Sequence, residues 1–154
     1  DEQPQLRASE APIGSQPERI NIRIRTSISV EDSLPAGGQG AVGIECRTGD
    51  TELHQLLQCM NDPHTAIRVS AERALNRHLN GGCQVPIACY AVLEDDQLWL
   101  RGLVGQPDGA LLLRAEGRAP AEEAETLGVR IAEALLEQGA GQILQDIYGE
   151  AGKA

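Results

Sequence analysis

Three apolar segments joined by very short polar connections restrict the fold of this chain more than any other feature. They are VPIACYAVL (85–93), QLWLRGLVG (97–105) and ALLLRAEGR (110–118). The connections Glu94–Asp96 and Gln106–Gly109 have the composition of turns, and each is too short for the crossover that parallel strands require. The sequence therefore predicts three antiparallel strands in meander order.

Helical periodicity appears on both sides of this predicted sheet. A helix is expected over about 64–79, with Arg68 and Glu72 as an outward-facing i,i+4 ion pair and a left-handed glycine after Asn80 as its stop. A long helix is expected to open at Pro120, and a short closing helix to cover Gln142–Tyr148. The apolar stripes of the two longer helices consist of Ile67, Ala71, Ala74, Leu75, Leu79 and of Ala124, Leu127, Ile131, Leu135.

These patterns predict an α+β domain over 63–154, a three-stranded antiparallel sheet with helices packed on one face. Residues 22–62 contain a short strand pattern, a glycine-rich loop and a helix over about 51–60, which cannot bury a core alone. We expect them to be a remnant of preceding α/β domains, and the chain to be the C-terminal part of a larger protein. Residues 1–21 mix Pro, Gly, Ser and charges without period, which predicts a disordered arm.

Composition excludes several classes of function. The net charge is −10 and the only aromatic residues are Trp99, Tyr90 and Tyr148, so neither nucleic acid nor an anionic membrane is an expected partner. No apolar run reaches the roughly 20 residues that span a bilayer, and the first residues do not resemble a signal peptide. We expect a cytoplasmic protein with free thiols and, in the absence of a CxxC pair, no metal site.

The four cysteines divide into two groups by position. Cys46, Cys59 and Cys89 lie on apolar strands or helices and are predicted to be small buried hydrophobes. Cys83 differs, because it follows two glycines on a loop, where functional groups concentrate. Position alone leaves open whether Cys83 forms a covalent bond, since the nearest base in sequence, His78, is equally consistent with an ordinary exposed residue.

The stretch LPAGGQGAVGIECR (34–47) is a glycine-rich loop that leads into a predicted strand over Ala41–Cys46. It fits neither G-x-G-x-x-G nor the phosphate-binding G-x-x-x-x-G-K-[ST], so a nucleotide site is not predicted. Together with TAIRVSAERALNRHLNGGCQVPIACYA (65–91) and LWLRGLVGQPDG (98–109), it closely resembles the porphobilinogen deaminase family, also called hydroxymethylbilane synthase.

The resemblance implies a transferase of tetrapyrrole and heme biosynthesis that condenses four porphobilinogen molecules into hydroxymethylbilane, releasing ammonia. In that family the cysteine of GGC carries a dipyrromethane cofactor through a thioether, and this position is Cys83. Gln39 and Gly40 match positions beside the cofactor or substrate, and Gln84 is a weaker candidate for the same contact. The full-length family member is expected to be a monomer.

The departures from the family pattern limit what can be carried over. The family protein is about twice as long, and its catalytic aspartate and most substrate-binding arginines lie in the missing part, so no catalytic residue is assigned. Upstream of Arg23 the resemblance ends, and Gly37 replaces a common valine, which is expected to loosen the loop. Two alternatives stay open: a non-catalytic tetrapyrrole-binding module and an inert truncated product.

Overall fold

A computed structural model describes residues 27–81 and 85–151. The predicted arm 1–21 and most of the first strand pattern lie outside these residues. In chain order the elements are α1 (Thr51–Leu57), a 3-10 helix (Gln58–Met60), α2 (Pro63–His78), β1 (Ile87–Glu94), β2 (Gln97–Gly105), β3 (Leu112–Pro120), a 3-10 helix (Ala121–Glu123), α3 (Ala124–Glu137) and α4 (Ala140–Ala151).

The sheet has the predicted meander order β1-β2-β3, with both neighbouring pairs antiparallel. Gly102 on the central strand lies opposite Cys89 on one side and Ala115 on the other. The β1–β2 connection is a tight turn in which Asp95 and Asp96 have φ angles of 47° and 61°. Such positive angles match the twist of the flanking strands, which explains why two residues suffice.

Helices α2 and α3 pack on one face of the sheet, which confirms the predicted α+β class. Along β2, residues alternate between the buried face, with Leu98, Leu100 and Val104, and the opposite face, with Trp99 and Arg101. This two-residue period is what a half-buried strand requires. The largest fully buried side chains are Leu75, Leu98, Leu100, Leu127, Leu135, Val104 and Cys89.

The two long helices approach each other closely at Gly128. A Cβ atom at this position would lie 2.7 Å from the Cβ of Ala74 and 2.9 Å from the backbone nitrogen of Leu75. Because atoms cannot pack at those distances, any larger residue would push α3 away from α2. The glycine therefore fixes the spacing of the helical layer above the sheet.

The ends of the elements differ from the sequence expectation in three places. Asp62 caps the start of α2, where its carboxylate accepts a hydrogen bond from the Thr65 amide at 2.7 Å. After the end of α2, the described residue with a left-handed φ is Asn80, at 52°, where a glycine was expected. Asparagine tolerates this region because its short polar side chain bonds locally. Pro120 ends β3 instead of opening α3, and α4 spans more residues than predicted.

Residues 27–61 have a different character from the sheet and its helices. None of them is fully buried, and Val42 and Leu56 are among the most exposed apolar side chains. The predicted strand over Ala41–Cys46 is wrong: no described strand lies beside this segment to pair with it. Within the described residues, no helix has both the length and the apolarity needed to span a membrane.

Candidate functional site

The glycine-rich loop lies along the free edge of β1. The backbone N–H of Cys89, on the side of β1 away from β2, donates to the carbonyl of Pro35 at 3.0 Å. Gly38 and Gly40 then take left-handed φ angles of 74° and 84°, which turn the chain sharply. The loop therefore covers a strand edge that would otherwise expose unpaired backbone groups.

Glu72 on α2 joins this loop to the sheet. Its side chain is buried, with one carboxylate oxygen accepting from the Gly38 amide at 2.7 Å and the other from the Ala91 amide at 2.8 Å. The expected outward pair with Arg68 is therefore wrong. Glu72 lies three residues before Leu75 and seven before Leu79, on the buried side of the helix, and this spacing was the available signal.

The charge state of Glu72 matters for both contacts. Burial raises the pKa of Glu72, while the amides of Gly38 and Ala91 and the nearby Arg68 guanidinium act in the opposite direction. A carboxylate can accept from both amides at once, but a protonated carboxyl has an O–H donor on one oxygen. The ionised form of Glu72 therefore fits the observed pair of hydrogen bonds.

Gly37 packs against the thiol of Cys89. A Cβ atom at Gly37 would lie 2.7 Å from Cys89 Sγ, closer than real contacts allow, so glycine permits a close contact here rather than loosening the loop. Cys89 is the small buried hydrophobe that was predicted. Burial, and then the Glu72 carboxylate, raise the pKa of this thiol to about 12, so it stays protonated at neutral pH.

A cleft of about 250 Å³ opens between the loop and α2. Gln39 and Gly40, both predicted site residues, lie in its wall, and Arg68 and Tyr90 line it from the domain side. Arg68 donates to the His64 carbonyl at 3.3 Å and the Thr65 hydroxyl at 3.0 Å. A guanidinium has five N–H donors, so these bonds leave further donors for a ligand.

The residues of this cleft offer three kinds of contact. Arg68 supplies a cation, Tyr90 supplies an aromatic ring, and the absence of a side chain at Gly40 lets a ligand approach the backbone. The volume is just below the roughly 300–1,000 Å³ of pockets that hold drug-sized ligands. The cleft therefore suits a small ligand or one part of a larger ligand.

The other predicted site residues are not placed in this cleft. Cys83 and Gln84 lie outside the described residues, between Gly81, whose amide donates to the Asn76 carbonyl at 2.8 Å, and Val85. His78, the sequence-adjacent base, has Nε2 3.9 Å from a Glu133 carboxylate oxygen. Sequence reasoning missed Arg68 and Glu72 as site residues, because it placed both on the solvent side of α2.

The remaining cysteines differ from their predicted burial. Cys59 is exposed, and Cys46 is only partly buried, so the prediction of two buried thiols was wrong. Both lie in the region 27–61, which has no packed core to bury them. No group of three or more His, Cys, Asp or Glu side chains with metal-ligating geometry occurs among residues 27–81 and 85–151.

Two protein-family models match the chain. The model described as porphobilinogen deaminase, C-terminal domain, matches residues 66–137. The model described as porphobilinogen deaminase, dipyromethane cofactor binding domain, matches residues 16–55. The prediction that the resemblance ends upstream of Arg23 is therefore wrong, because this match begins seven residues earlier. Together they cover well over half of the chain. Glu72 and Tyr90 fall in the first match, and Gly38, Gln39 and Gly40 fall in the second.

Proposed function

Because the chain belongs to the porphobilinogen deaminase family, we propose that it is the cofactor-carrying C-terminal portion of a hydroxymethylbilane synthase. Residues 63–154 form the cofactor-carrying domain in this proposal, and residues 22–62 belong to the preceding domains. The observation that supports it best is the Glu72 carboxylate. It accepts one hydrogen bond from Gly38, in the match to the cofactor binding domain, and one from Ala91, in the match to the C-terminal domain. The family is a transferase, with porphobilinogen as its implied substrate.

Cys83 is the proposed attachment point of dipyrromethane. When bound, this group supplies a primer whose terminal pyrrole is extended by four porphobilinogen units, each losing ammonia. The sequence GGCQ predicts a loop at Cys83, and loops are where functional groups concentrate. Gln84, the neighbouring residue, is a weaker candidate for contact with the same group.

The residues of the cleft have proposed roles in holding the growing chain. Gln39 and Gly40 would contact pyrrole substituents, and Arg68 would pair with a carboxylate. Glu72 would act indirectly, as a positioning residue, by holding the loop at Gly38 against β1. None of these groups supplies the stabilisation of a developing pyrrole cation, which we assign to domains outside this chain.

The isolated chain is therefore proposed to be inactive, because losing a preorganised electrostatic site removes orders of magnitude in rate. A cytoplasmic location is part of the proposal, and the free thiols at Cys46, Cys59 and Cys89 are consistent with a reducing compartment. The second candidate, a tetrapyrrole-binding module without turnover, is favoured by the cleft alone, which can bind a pyrrole carboxylate without any catalytic group.

A chimera tests the proposal, joining the N-terminal domains of an active family member to residues 22–154 of this chain. We expect it to consume porphobilinogen and form hydroxymethylbilane, whereas the isolated chain does neither. Cys83→Ser should abolish turnover, and Cys59→Ser, which changes an exposed thiol, should retain it. A folded chimera that binds porphobilinogen without releasing ammonia would favour the binding module and contradict the proposal.

A further inference from the structure

Away from the glycine loop, a cysteine and a histidine lie side by side. Cys46 Sγ is 3.4 Å from His54 Nε2, within hydrogen-bonding distance for sulfur. Cys46 comes from the irregular segment 41–47 and His54 from the last turn of α1, so the pair joins two parts of region 27–61. In the imidazole tautomer protonated on Nδ1, Nε2 accepts a hydrogen bond from the thiol.

The pair lies in a second cleft, of about 220 Å³. Its wall is mixed: Val42, Ile44, Leu57 and Met60 form the apolar part, and Gln58 and Asn61 contribute polar groups. Cys46 is partly exposed, so a small molecule entering this cleft can reach the sulfur. A ligand that suits such a wall is small and carries both an apolar part, which covers these side chains, and a polar group.

We propose that Cys46 and His54 form a nucleophile–base pair that makes Cys46 a modification site for small α,β-unsaturated carbonyl compounds. The Cys46 sulfur bonds to the β-carbon, and its proton passes to His54 Nε2. The carbon–carbon double bond becomes the enolate, whose α-carbon then takes a proton from His54 or water. The product is a thioether with no leaving group, and no oxidant or reductant takes part.

The other described thiols provide internal references. Cys59 is exposed, and its thiol donates to the Leu56 carbonyl at 3.2 Å, which cannot act as a base in the same way. Cys89 is fully buried, and burial raises the pKa of its thiol to about 12. Exposure alone would make Cys59 react faster than Cys46. The pairing with His54 predicts that Cys46 reacts faster than Cys59. The reactivity of this site does not depend on the proposed transferase function.

The test uses the full 154-residue chain with a limiting amount of N-ethylmaleimide near neutral pH. Peptide mass spectrometry gives the modified fraction at each cysteine separately, so reaction at Cys83 does not interfere. General-base assistance is worth roughly 10²–10⁴-fold in enzymes, and for a partly solvated pair we expect Cys46 to react about tenfold faster than Cys59. Cys89 should stay unmodified.

Two variants distinguish the effect of the base on the Cys46 reaction rate from the effect of the shape of the cleft. In His54→Gln the Cys46 rate should fall to that of Cys59 or below, because the proton acceptor is gone. In Gln58→Ala, which alters another lining residue, Cys46 should keep its advantage. Both positions are exposed, and circular dichroism verifies that the variants fold. Equal or slower reaction of Cys46 in the wild type, or no change in His54→Gln, would overturn the proposal.

Discussion

The two halves of the described structure are stabilised in different ways. The sheet with α2 and α3 buries a continuous aliphatic core, and every fully buried residue among those that the structure describes lies between Ala71 and Leu144. Residues 27–61 bury none of their own, and they are held to the domain at specific points. The Cys89 amide donates to the Pro35 carbonyl, the Gly38 amide donates to the Glu72 carboxylate, and the Arg101 guanidinium pairs with the Glu31 carboxylate at 3.3 Å.

This difference shows how one chain can combine a domain that has its own core with a segment whose position depends on a few polar contacts. Hydrophobic burial is distributed over many side chains, so no single contact in the domain defines its fold. The upstream segment depends on individual hydrogen bonds, so single substitutions should move it without unfolding the domain. The residues that line the cleft come from both sides of this boundary.

The largest expected effect comes from a matched pair of leucines. Leu75→Ala removes a fully buried side chain between the sheet and the helices, whereas Leu56→Ala changes an exposed one on α1. Leu75→Ala should lower the free energy of unfolding by about 2–5 kcal/mol, and Leu56→Ala by less than about 0.5 kcal/mol. Urea denaturation measures both. Similar losses in the two variants would mean that region 27–61 has a packed core of its own.

The next effect concerns Glu72. In Glu72→Gln the side-chain NH2 group would face one of the two backbone N–H groups, so either Gly38 or Ala91 loses its acceptor, at a cost of about 1–3 kcal/mol. Hydrogen exchange should become faster in the loop 35–41 while the β2 amides keep their protection. Glu52→Gln is the control, because it removes the same charge from an exposed position. Unchanged exchange in the loop would show that Glu72 does not hold it.

A smaller effect tests the contact between Gly37 and Cys89. Gly37→Ala should destabilise the loop, because the new methyl group would lie 2.7 Å from Cys89 Sγ. In a Cys89→Ala background that sulfur is absent, so the same substitution should cost about 1 kcal/mol less, a coupling typical of touching residues. A double-mutant cycle by urea denaturation measures the coupling. Strictly additive effects would place the loop away from β1.

The smallest effect is a pH dependence from Glu72. Its pKa is raised above the ordinary 4.5, so as the pH falls the folded protein takes up this proton before the unfolded chain does. The free energy of unfolding of the wild type, relative to Glu72→Gln, should therefore rise as the pH falls through the raised pKa and level off below about 4.5. A relative stability that falls instead would mean that the hydrogen bonds to Gly38 and Ala91 outweigh burial.

Much of the domain could be predicted because its signals are local. The two short connections dictated an antiparallel meander, and the apolar stripes of α2 and α3 identified the faces that pack on it. Cys89 was correctly predicted to be buried because it lies on a strand inside that pattern. These features depend on periodicity and turn length, which a single sequence contains.

The errors concern features that depend on tertiary neighbours. Glutamate is usually found on the protein surface, and Glu72 is buried because the amides of Gly38 and Ala91 donate to its carboxylate. Ala41–Cys46 has a strand-like pattern, but a strand also needs a partner, and no described strand lies beside it. The side-by-side placement of Cys46 and His54 likewise results from how two segments meet, which their spacing does not reveal.

The attachment of dipyrromethane to Cys83 is best tested by the intact mass of the chimera described above. We expect a mass increase equal to one dipyrromethane, located on the peptide that contains Cys83 and absent from Cys83→Ser. An active chimera with an unmodified Cys83, or with the added mass on Cys46 or Cys59, would contradict it.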